Sequence, residues 1–147
     1  MMSVKAIPDG FQSVVPYLAA QDASALIAFL QQAFDAQVCL LHKLPSGHVL
    51  HAQVRVGDCM VMTSDPQPKS ECKIGPAMLY MYVADVDAAY RKAVDAGGKS
   101  LSTPADMFYG DRSAGVEDPA GNQWYLATHI EDVPEEELIR RVQTLCG

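Results

Sequence analysis

The chain lacks several features that would place it in a large class of proteins. Its 147 residues hold no apolar run long enough to span a bilayer and no apolar segment of a secretory signal. The 11 Lys and Arg residues are scattered and are outnumbered by 18 Asp and Glu, for a formal net charge of -7. A nucleic-acid partner needs concentrated positive charge. These absences predict a cytoplasmic protein that binds neither a membrane nor nucleic acid.

Cysteine pairs of the metal-binding or redox kind are also absent. The four cysteines are widely spaced and form no C-x-x-C pair: Cys39, Cys59, Cys72 and Cys146. A structural zinc site is therefore not expected, and it stays open whether these thiols are simply buried. The sequence also shows no phosphate-binding loop and no context typical of a serine nucleophile.

The sequence does contain an order of elements that occurs twice. Shifting the first half by 63 positions places Tyr17 on Tyr80 and Asp22 on Asp85. In each half a strand-like run precedes the Asp, whose side chain is typical of a helix N-cap, and apolar residues follow it at helical spacing. Three further strand-like runs complete each half: 38–43, 48–56 and 59–63 in the first, and 100–103, 113–117 and 122–128 in the second.

This repeat predicts one α+β domain over residues 1–147, built from two βαβββ modules and a C-terminal helix. The expected bounds are about 13–64 for module one, 65–76 for a polar connector, 77–128 for module two and 133–145 for the helix. Asp132 and Glu135 have capping-box spacing before that helix. Residues 1–12 are expected to be a loose lead-in, and 107–110 a long loop.

Three short motifs accompany the repeat. They are Tyr109-Gly110-Asp111-Arg112, the turn and strand from Asp118-Pro119-Ala120-Gly121 to Trp124, and Leu126-Ala127-Thr128-His129. With His51-Ala52 and Gly57-Asp58, they resemble the vicinal-oxygen-chelate superfamily, which includes glyoxalase I, bleomycin-resistance proteins and extradiol dioxygenases. More narrowly they resemble its PhnB-like, or demethylubiquinone-methyltransferase-like, branch. The resemblance covers roughly residues 13–137.

The resemblance implies eight strands in two curved mixed sheets that enclose a cleft, usually through pairing or dimerisation of modules, so a homodimer is expected. Metal-using members carry ligands, typically His and Glu or Gln, on the first and last strands of each half. The corresponding positions here are Val15, Val61, Met78 and Tyr125, and their immediate neighbours supply no ligand either. These side chains do not suit a hard divalent ion. We therefore predict no metal and no cofactor, and no Gly-rich turn supports methyl transfer.

Strand alternation predicts which side chains face the cleft. In the strand 48–56, Leu50, Ala52, Val54 and Val56 should pack under a helix. The expected cleft-facing set is Tyr17, His51, Gln53, Arg55, Tyr80, Tyr82, Gln123 and Tyr125. Aromatic walls with a few polar groups are the usual composition of a small-molecule site. The alternative is a half-solvated sheet face or a dimer seam that binds nothing.

Individual roles follow from side-chain chemistry. His51 is the natural acid/base candidate because its unperturbed pKa lies near neutrality. Arg55 or Arg112 has the geometry to hold a carboxylate or phosphate. For Arg112 the alternative is loop scaffolding through Asp111, Glu117 or Asp118. His129 is expected to be solvated, and Trp124 to lie in the core.

The function predicted from the sequence is binding of a small organic molecule in a metal-free, aromatic-lined cleft. The alternative is a lyase, isomerase or dioxygenase-type enzyme of the same superfamily. A lyase or isomerase would use His51 as its acid/base, and a metal enzyme would have its ligands in a different strand register. Both hypotheses place the ligand on the concave sheet faces, and they differ in whether His51 acts on it.

Overall fold

A computed structural model describes residues 4–66 and 74–146, and shows two four-stranded sheets with three helices. Module one contains β1 (Tyr17–Leu18), α1 (Ala23–Phe34), β2 (Gln37–Lys43), β3 (Val49–Val56) and β4 (Cys59–Thr63). Module two contains β5 (Met78–Tyr82), α2 (Val86–Asp95), β6 (Lys99–Asp106), β7 (Asp111–Glu117) and β8 (Gln123–His129), and α3 (Glu135–Cys146) follows. The predicted α+β architecture with a C-terminal helix is confirmed. Most of the predicted connector, residues 67–73, lies outside the described residues.

The two sheets share one topology, with strand orders β1-β4-β3-β2 and β5-β8-β7-β6. In each sheet the first strand is parallel to the last, and Tyr17 pairs with Met62 as Tyr80 pairs with Tyr125. Met62, not Val61, is therefore the counterpart of Tyr125. Counting from the turn glycines was wrong by one residue because Gly57 is the first residue of its turn, whereas Gly121 lies at the end of its turn. Val61 itself pairs with Val54 and is buried.

The helices begin where the sequence predicts. The carboxylates of Asp22 and Asp85 accept hydrogen bonds from the backbone N–H of Ala25 (3.2 Å) and Ala88 (3.1 Å). Their apolar faces pack on the sheets, and the resulting core runs through both modules. Trp124 belongs to this core, as predicted, with its ring 4.9 Å from that of Phe34 in α1. The modules therefore share buried surface behind their sheets.

Several bounds differ from the prediction. β1 has two residues rather than seven, because Pro16 has no N–H to donate and only its carbonyl joins the ladder, accepting from Met62 N at 2.9 Å. Conversely, β6 and β7 run up to a tight turn where a long loop was expected, with Gly110 N donating to Met107 O at 3.1 Å. Gly110 has a φ of 102°, and a Cβ there would collide with the carbonyl of Glu131.

The N-terminal segment, expected to be loose, lies against the concave face of module one. Arg55 donates from Nη2 to the Gly10 carbonyl at 2.8 Å. The Gln12 side chain donates to Met60 O at 2.7 Å and accepts from Met60 N at 3.1 Å. Ile7 and Phe11 line a cavity of about 530 Å³ on this face. The open part of the module-one surface is correspondingly smaller than the strand pattern suggests.

The C-terminal helix starts two residues later than predicted, after Pro134. Its Arg141 fixes it to the body by donating to the Phe108 carbonyl at 2.8 Å and by pairing with Glu131 at 2.9 Å. Asp132, expected in a capping box, instead contacts His129 at 2.7 Å. Within residues 4–66 and 74–146, no helix is long and apolar enough to cross a membrane.

Candidate functional site

Burial along β3 follows the predicted alternation with one exception. On β3 the side chains of His51, Gln53 and Arg55 are half-buried, and the residues between them are fully or nearly fully buried. At the start of the strand, however, Leu50 is 43% exposed and Val49 is fully buried. The prediction for Leu50 was wrong because the β2–β3 ladder shifts register opposite His42 and Lys43, which reverses the alternation locally.

Three predicted residues of module one come together in a hydrogen-bonded chain. Tyr17 donates its hydroxyl proton to Ser64 Oγ at 3.0 Å, and its oxygen lies 3.3 Å from His51 Nδ1. The other ring nitrogen, Nε2, lies 3.3 Å from Gln53 Nε2. An amide nitrogen only donates, so Nε2 accepts and Nδ1 carries the ring proton. In this arrangement the acceptor nitrogen of the His51 ring already has a hydrogen-bond partner.

The two candidate arginines are engaged by protein groups. Arg55 is bound to Gly10, as described above. Arg112 holds Asp87 of α2 through two hydrogen bonds of 2.9 and 3.0 Å, and Asp106 of β6 through a third of 2.9 Å. Arg112 therefore has the scaffolding role that was given as the alternative, but its partners are Asp87 and Asp106 rather than those predicted. Neighbours along a strand point to opposite faces, so Arg112 turns toward α2, away from Asp111.

The concave face of module two carries a cavity of about 340 Å³. Its walls are aromatic, thioether and hydroxyl groups: Met78, Tyr80, Ser102, Thr103, Ala105, Met107, Tyr109, Ser113 and Tyr125. Tyr80 and Tyr125 were predicted here, and Tyr82 and Gln123 lie on the same sheet outside the walls. Tyr109 was missed, although its motif was noted, because only the tight β6–β7 turn brings it over the sheet.

Gly115 makes room for one of these walls. Gly115 is on β7, directly opposite Tyr125 of β8. A Cβ at Gly115 would come within 2.9 Å of the Tyr125 ring. The same atom would lie 3.1 Å from Ser102 Oγ. The counterpart of Gly115 in module one is Gln53, which pairs with Met62 in the same way. The absence of a side chain at Gly115 therefore leaves room in the module-two cavity, whereas the side chain of Gln53 lines the module-one cavity.

A buried carboxylate lies behind this cavity. Asp111 is 3% exposed, and its Oδ2 accepts hydrogen bonds from the hydroxyls of Tyr80 (2.7 Å) and Tyr82 (2.8 Å). Its Oδ1 lies 2.8 Å from His129 Nδ1, and His129 Nε2 lies 2.7 Å from Asp132. Both ring nitrogens of His129 face carboxylates, and this arrangement favours the imidazolium form, in which both nitrogens carry protons. His129 was expected to be solvated, but it contacts Asp111. Sequence spacing could not reveal this contact, because the cluster around Asp111 joins residues of β5, β7 and β8.

The protonation states in this cluster support one another. Burial alone would raise the pKa of Asp111, but hydrogen bonds from His129, Tyr80 and Tyr82 outweigh it and lower that pKa. Hydrogen bonds to Asp111 and Asp132 raise the pKa of His129. Burial, followed by hydrogen bonds with Tyr109 and Asp111, raises the pKa of Tyr80. Near neutral pH the carboxylate is therefore ionised and Tyr80 keeps its proton.

The inward positions on the first and last strands do not fit a metal ion. They hold Val15, two residues before β1, and Met62 in module one, and Met78 and Tyr125 in module two. An aliphatic group, two thioethers and one phenol do not make a ligand set for a hard divalent ion. Among the described residues, no three His, Cys, Asp or Glu side chains are grouped to hold one elsewhere.

The Asp118-Pro119-Ala120-Gly121 turn has a structural role. Asp118 is buried and accepts hydrogen bonds from Asn122 N at 3.0 Å and Trp124 Nε1 at 2.9 Å. Asn122 is fully buried, donates from Nδ2 to the Ala19 carbonyl at 3.0 Å and accepts from Ala77 N at 2.9 Å. One side chain thus ties the end of β1 to the start of β5. The motif fixes the junction between modules and does not face the cavity.

These features define a class of protein with paired βαβββ modules and an aromatic concave face on the second module. A model of the Glyoxalase/Bleomycin resistance protein/Dioxygenase superfamily matches residues 10–126. The chain belongs to this superfamily. An uncharacterised protein of Mycobacterium bovis is 31% identical over 132 residues, which cover 84% of this chain and 87% of the relative.

Two solved structures show the same fold. TioX from Micromonospora sp. ML1 has a TM-score of 0.67 at 23% identity, covering 81% of this chain and 99% of that one. The PhnB protein from Bacillus cereus has a TM-score of 0.60 at 15% identity, covering 80% and 99%. At these identities the likeness concerns the fold alone.

Proposed function

We propose that the protein binds a small organic molecule in the module-two cavity, and that a second copy of the chain covers the cleft. The observation that carries this proposal is the cavity of about 340 Å³ walled by Tyr80, Tyr109 and Tyr125. Small-molecule sites have volumes of roughly 300–1,000 Å³, apolar or aromatic walls and a few fixed polar groups. The hydroxyls anchored on Asp111 supply such fixed groups.

Exposed apolar surface supports the homodimer. On β5 of the open sheet face, Met78 is 68% exposed and Tyr82 is 62% exposed. A monomer rarely leaves contiguous side chains of this kind in water. A second copy would cover them and would also deepen the cavity, because the cavity is open on the side away from the sheet.

The motifs around Tyr109–Arg112 and Leu126–His129 support assignment to the PhnB-like branch. They support no methyl transfer, and we propose neither a metal nor an organic cofactor, because the inward side chains do not suit one. We further propose a cytoplasmic location, with no nucleic-acid or membrane partner, in keeping with the acidic composition.

The test compares two half-buried tyrosines. A library of aromatic small molecules is screened by thermal shift, since a ligand that binds only the folded state raises its stability. We expect Tyr125→Ala to abolish the shift given by a wild-type hit. Tyr90→Ala, on α2 away from the cavity, should keep it. Equal shifts in both variants would contradict the site, and a monomeric mass in sedimentation would contradict the dimer.

The enzyme alternative rests on the hydrogen-bonded chain of Tyr17, His51 and Gln53. For His51 to act as a base, the Gln53 amide must first move away from Nε2, since that nitrogen is already an acceptor. If the protein is a lyase or isomerase, His51→Ala should lose turnover of a bound ligand and retain its binding. Unchanged turnover would remove His51 from the mechanism.

A further inference from the structure

We propose that the module-two cavity selects an aromatic ammonium ligand, which donates its N–H protons to the oxygens of Tyr80 and Tyr109. This inference rests on the proposed function and names the ligand class for the same cavity. It follows from the direction in which the buried Asp111 fixes the tyrosine hydroxyls.

The first step concerns the proton of Tyr80. An ionised carboxylate only accepts hydrogen bonds, so the 2.7 Å contact requires Tyr80 to donate to Asp111 Oδ2. Tyr82 donates to the same oxygen at 2.8 Å. A phenol hydroxyl has one proton, and that of Tyr80 is donated to Asp111. Only the lone pairs of the Tyr80 oxygen remain for a hydrogen bond with a ligand. The oxygen of Tyr80 is therefore a hydrogen-bond acceptor toward the cavity.

The second step extends this direction to Tyr109. Its hydroxyl oxygen lies 3.5 Å from that of Tyr80. Because the Tyr80 proton is committed to Asp111, only Tyr109 can donate across this gap. Its own oxygen then also presents lone pairs. Two neighbouring acceptors on one wall suit a ligand group with several N–H protons, which an ammonium group has.

The third step concerns charge. Among the residues that the structure describes, no Lys, Arg or His lines this cavity. His129 lies behind Asp111, where its positive charge is matched by two carboxylates. The faces of Tyr80, Tyr109 and Tyr125 are electron-rich, and a cation over such a face is stabilised. An anionic ligand would meet acceptor oxygens and π-faces, with only serine and threonine hydroxyls to offset them.

The wall is also rigid, which makes it selective. Asp111 sits at the start of β7, paired with His129 at the end of β8. The carboxylate holds Tyr80 and Tyr82 from β5, so the hydroxyl directions are set by the sheet and by a charged hydrogen-bond network. A water-exposed phenol would rotate its proton to suit any ligand, whereas this arrangement favours donors.

The experiment uses four probes with one naphthalene ring: 2-naphthylmethylamine, 2-naphthylmethanol, 2-methylnaphthalene and 2-naphthoate. Their affinities for the full chain are measured by calorimetry at neutral pH. We expect the amine to bind at least about tenfold more tightly than 2-methylnaphthalene, as for a hydrogen bond involving a charged group. The carboxylate should bind more weakly than either.

Two variants connect the preference to its cause. Tyr80→Phe keeps the ring and removes the acceptor, so the amine should lose about tenfold in affinity while 2-methylnaphthalene is unchanged. Tyr90→Phe, which removes a hydroxyl of α2 that is bound to Ser100 of β6, should change neither. The Tyr80→Phe measurement needs no folding argument, because 2-methylnaphthalene binding reports that the site is intact.

The outcomes separate the two proposals. Equal affinity for all four probes, or tighter binding of the carboxylate, would overturn the ammonium preference and leave a binding cavity. An amine preference that survives Tyr80→Phe would overturn the acceptor role of Tyr80. No saturable binding by any probe would overturn the proposed function together with this inference.

Discussion

The most direct test of the fold is the substitution Asn122→Ala at the junction between modules. Asn122 is fully buried, and its amide satisfies the Ala19 carbonyl and the Ala77 N–H at once. Truncation removes both bonds, together with the bond from Nδ2 to Asp118 Oδ2 at 3.0 Å, and leaves two backbone groups without their partner. Each such group costs about 1–3 kcal/mol, and both contacts are only partly buried, so we expect a total loss of about 3 kcal/mol.

That loss is large against the total stability of a domain, which is about 5–15 kcal/mol. It should lower the midpoint of urea unfolding by about 1.5 M, for a slope of about 2 kcal/mol/M. The matched control is Gln123→Ala, which alters the adjacent half-buried residue and retains the bond from its backbone N–H to Ala77 O. We expect the control to lose less than about 1 kcal/mol.

A second variant separates the lost donor from the lost volume. Asn122→Asp keeps an acceptor for Ala77, but it removes the donor to Ala19 and places a carboxylate beside buried Asp118. It should be at least as destabilising as Asn122→Ala at neutral pH. If Asn122→Ala costs no more than the Gln123→Ala control, the view of this motif as a structural junction is wrong.

Three further predictions concern the site and its supports. Gly115→Ala should displace the Tyr125 ring, cost about 1–3 kcal/mol through overpacking and weaken ligand binding in calorimetry; Gly75→Ala, with open space around its Cβ, should do neither. Arg112→Lys should lower the free energy of unfolding only slightly, because its ion pairs are partly exposed, and should leave ligand affinity unchanged; a large loss of affinity would return Arg112 to the binding site. The pKa of His129 is raised in the folded state, so its contribution should be fully present below the unfolded pKa of about 6.5 and disappear as pH rises through the folded pKa. Urea unfolding between pH 6 and 9 should therefore show a decline in the wild type relative to His129→Gln, and parallel curves would contradict the ion-pair network.

The local pattern of the sequence was sufficient for the elements and most of their faces. Asp22 and Asp85 start helices because a carboxylate satisfies the first free N–H groups in any context. Alternation identified Tyr80, Tyr82 and Tyr125 on one face because the pleat has a period of two residues. It failed at Leu50, where a register shift in the β2–β3 ladder changed the phase. A bulge depends on the partner strand, and the strand's own residues do not show it.

The Tyr109-Gly110-Asp111-Arg112 motif shows the same limit at the site. The sequence placed Tyr109 and Gly110 in a long loop and offered Asp111 only as a partner for Arg112. In the fold they form the end of a hairpin, and Asp111 and Arg112 point to opposite faces. Arg112 reaches α2. Asp111 accepts hydrogen bonds from two tyrosines on a strand about 30 residues earlier in the chain.

The sequence by itself determined the two βαβββ modules, because periodicity and turn chemistry are properties of the chain alone. Its short motifs carried the resemblance to the superfamily. Only the tertiary structure decided which hydroxyls point where. The Asp111 carboxylate directs them through contacts among β5, β7 and β8, and such contacts exist only once the sheet has formed.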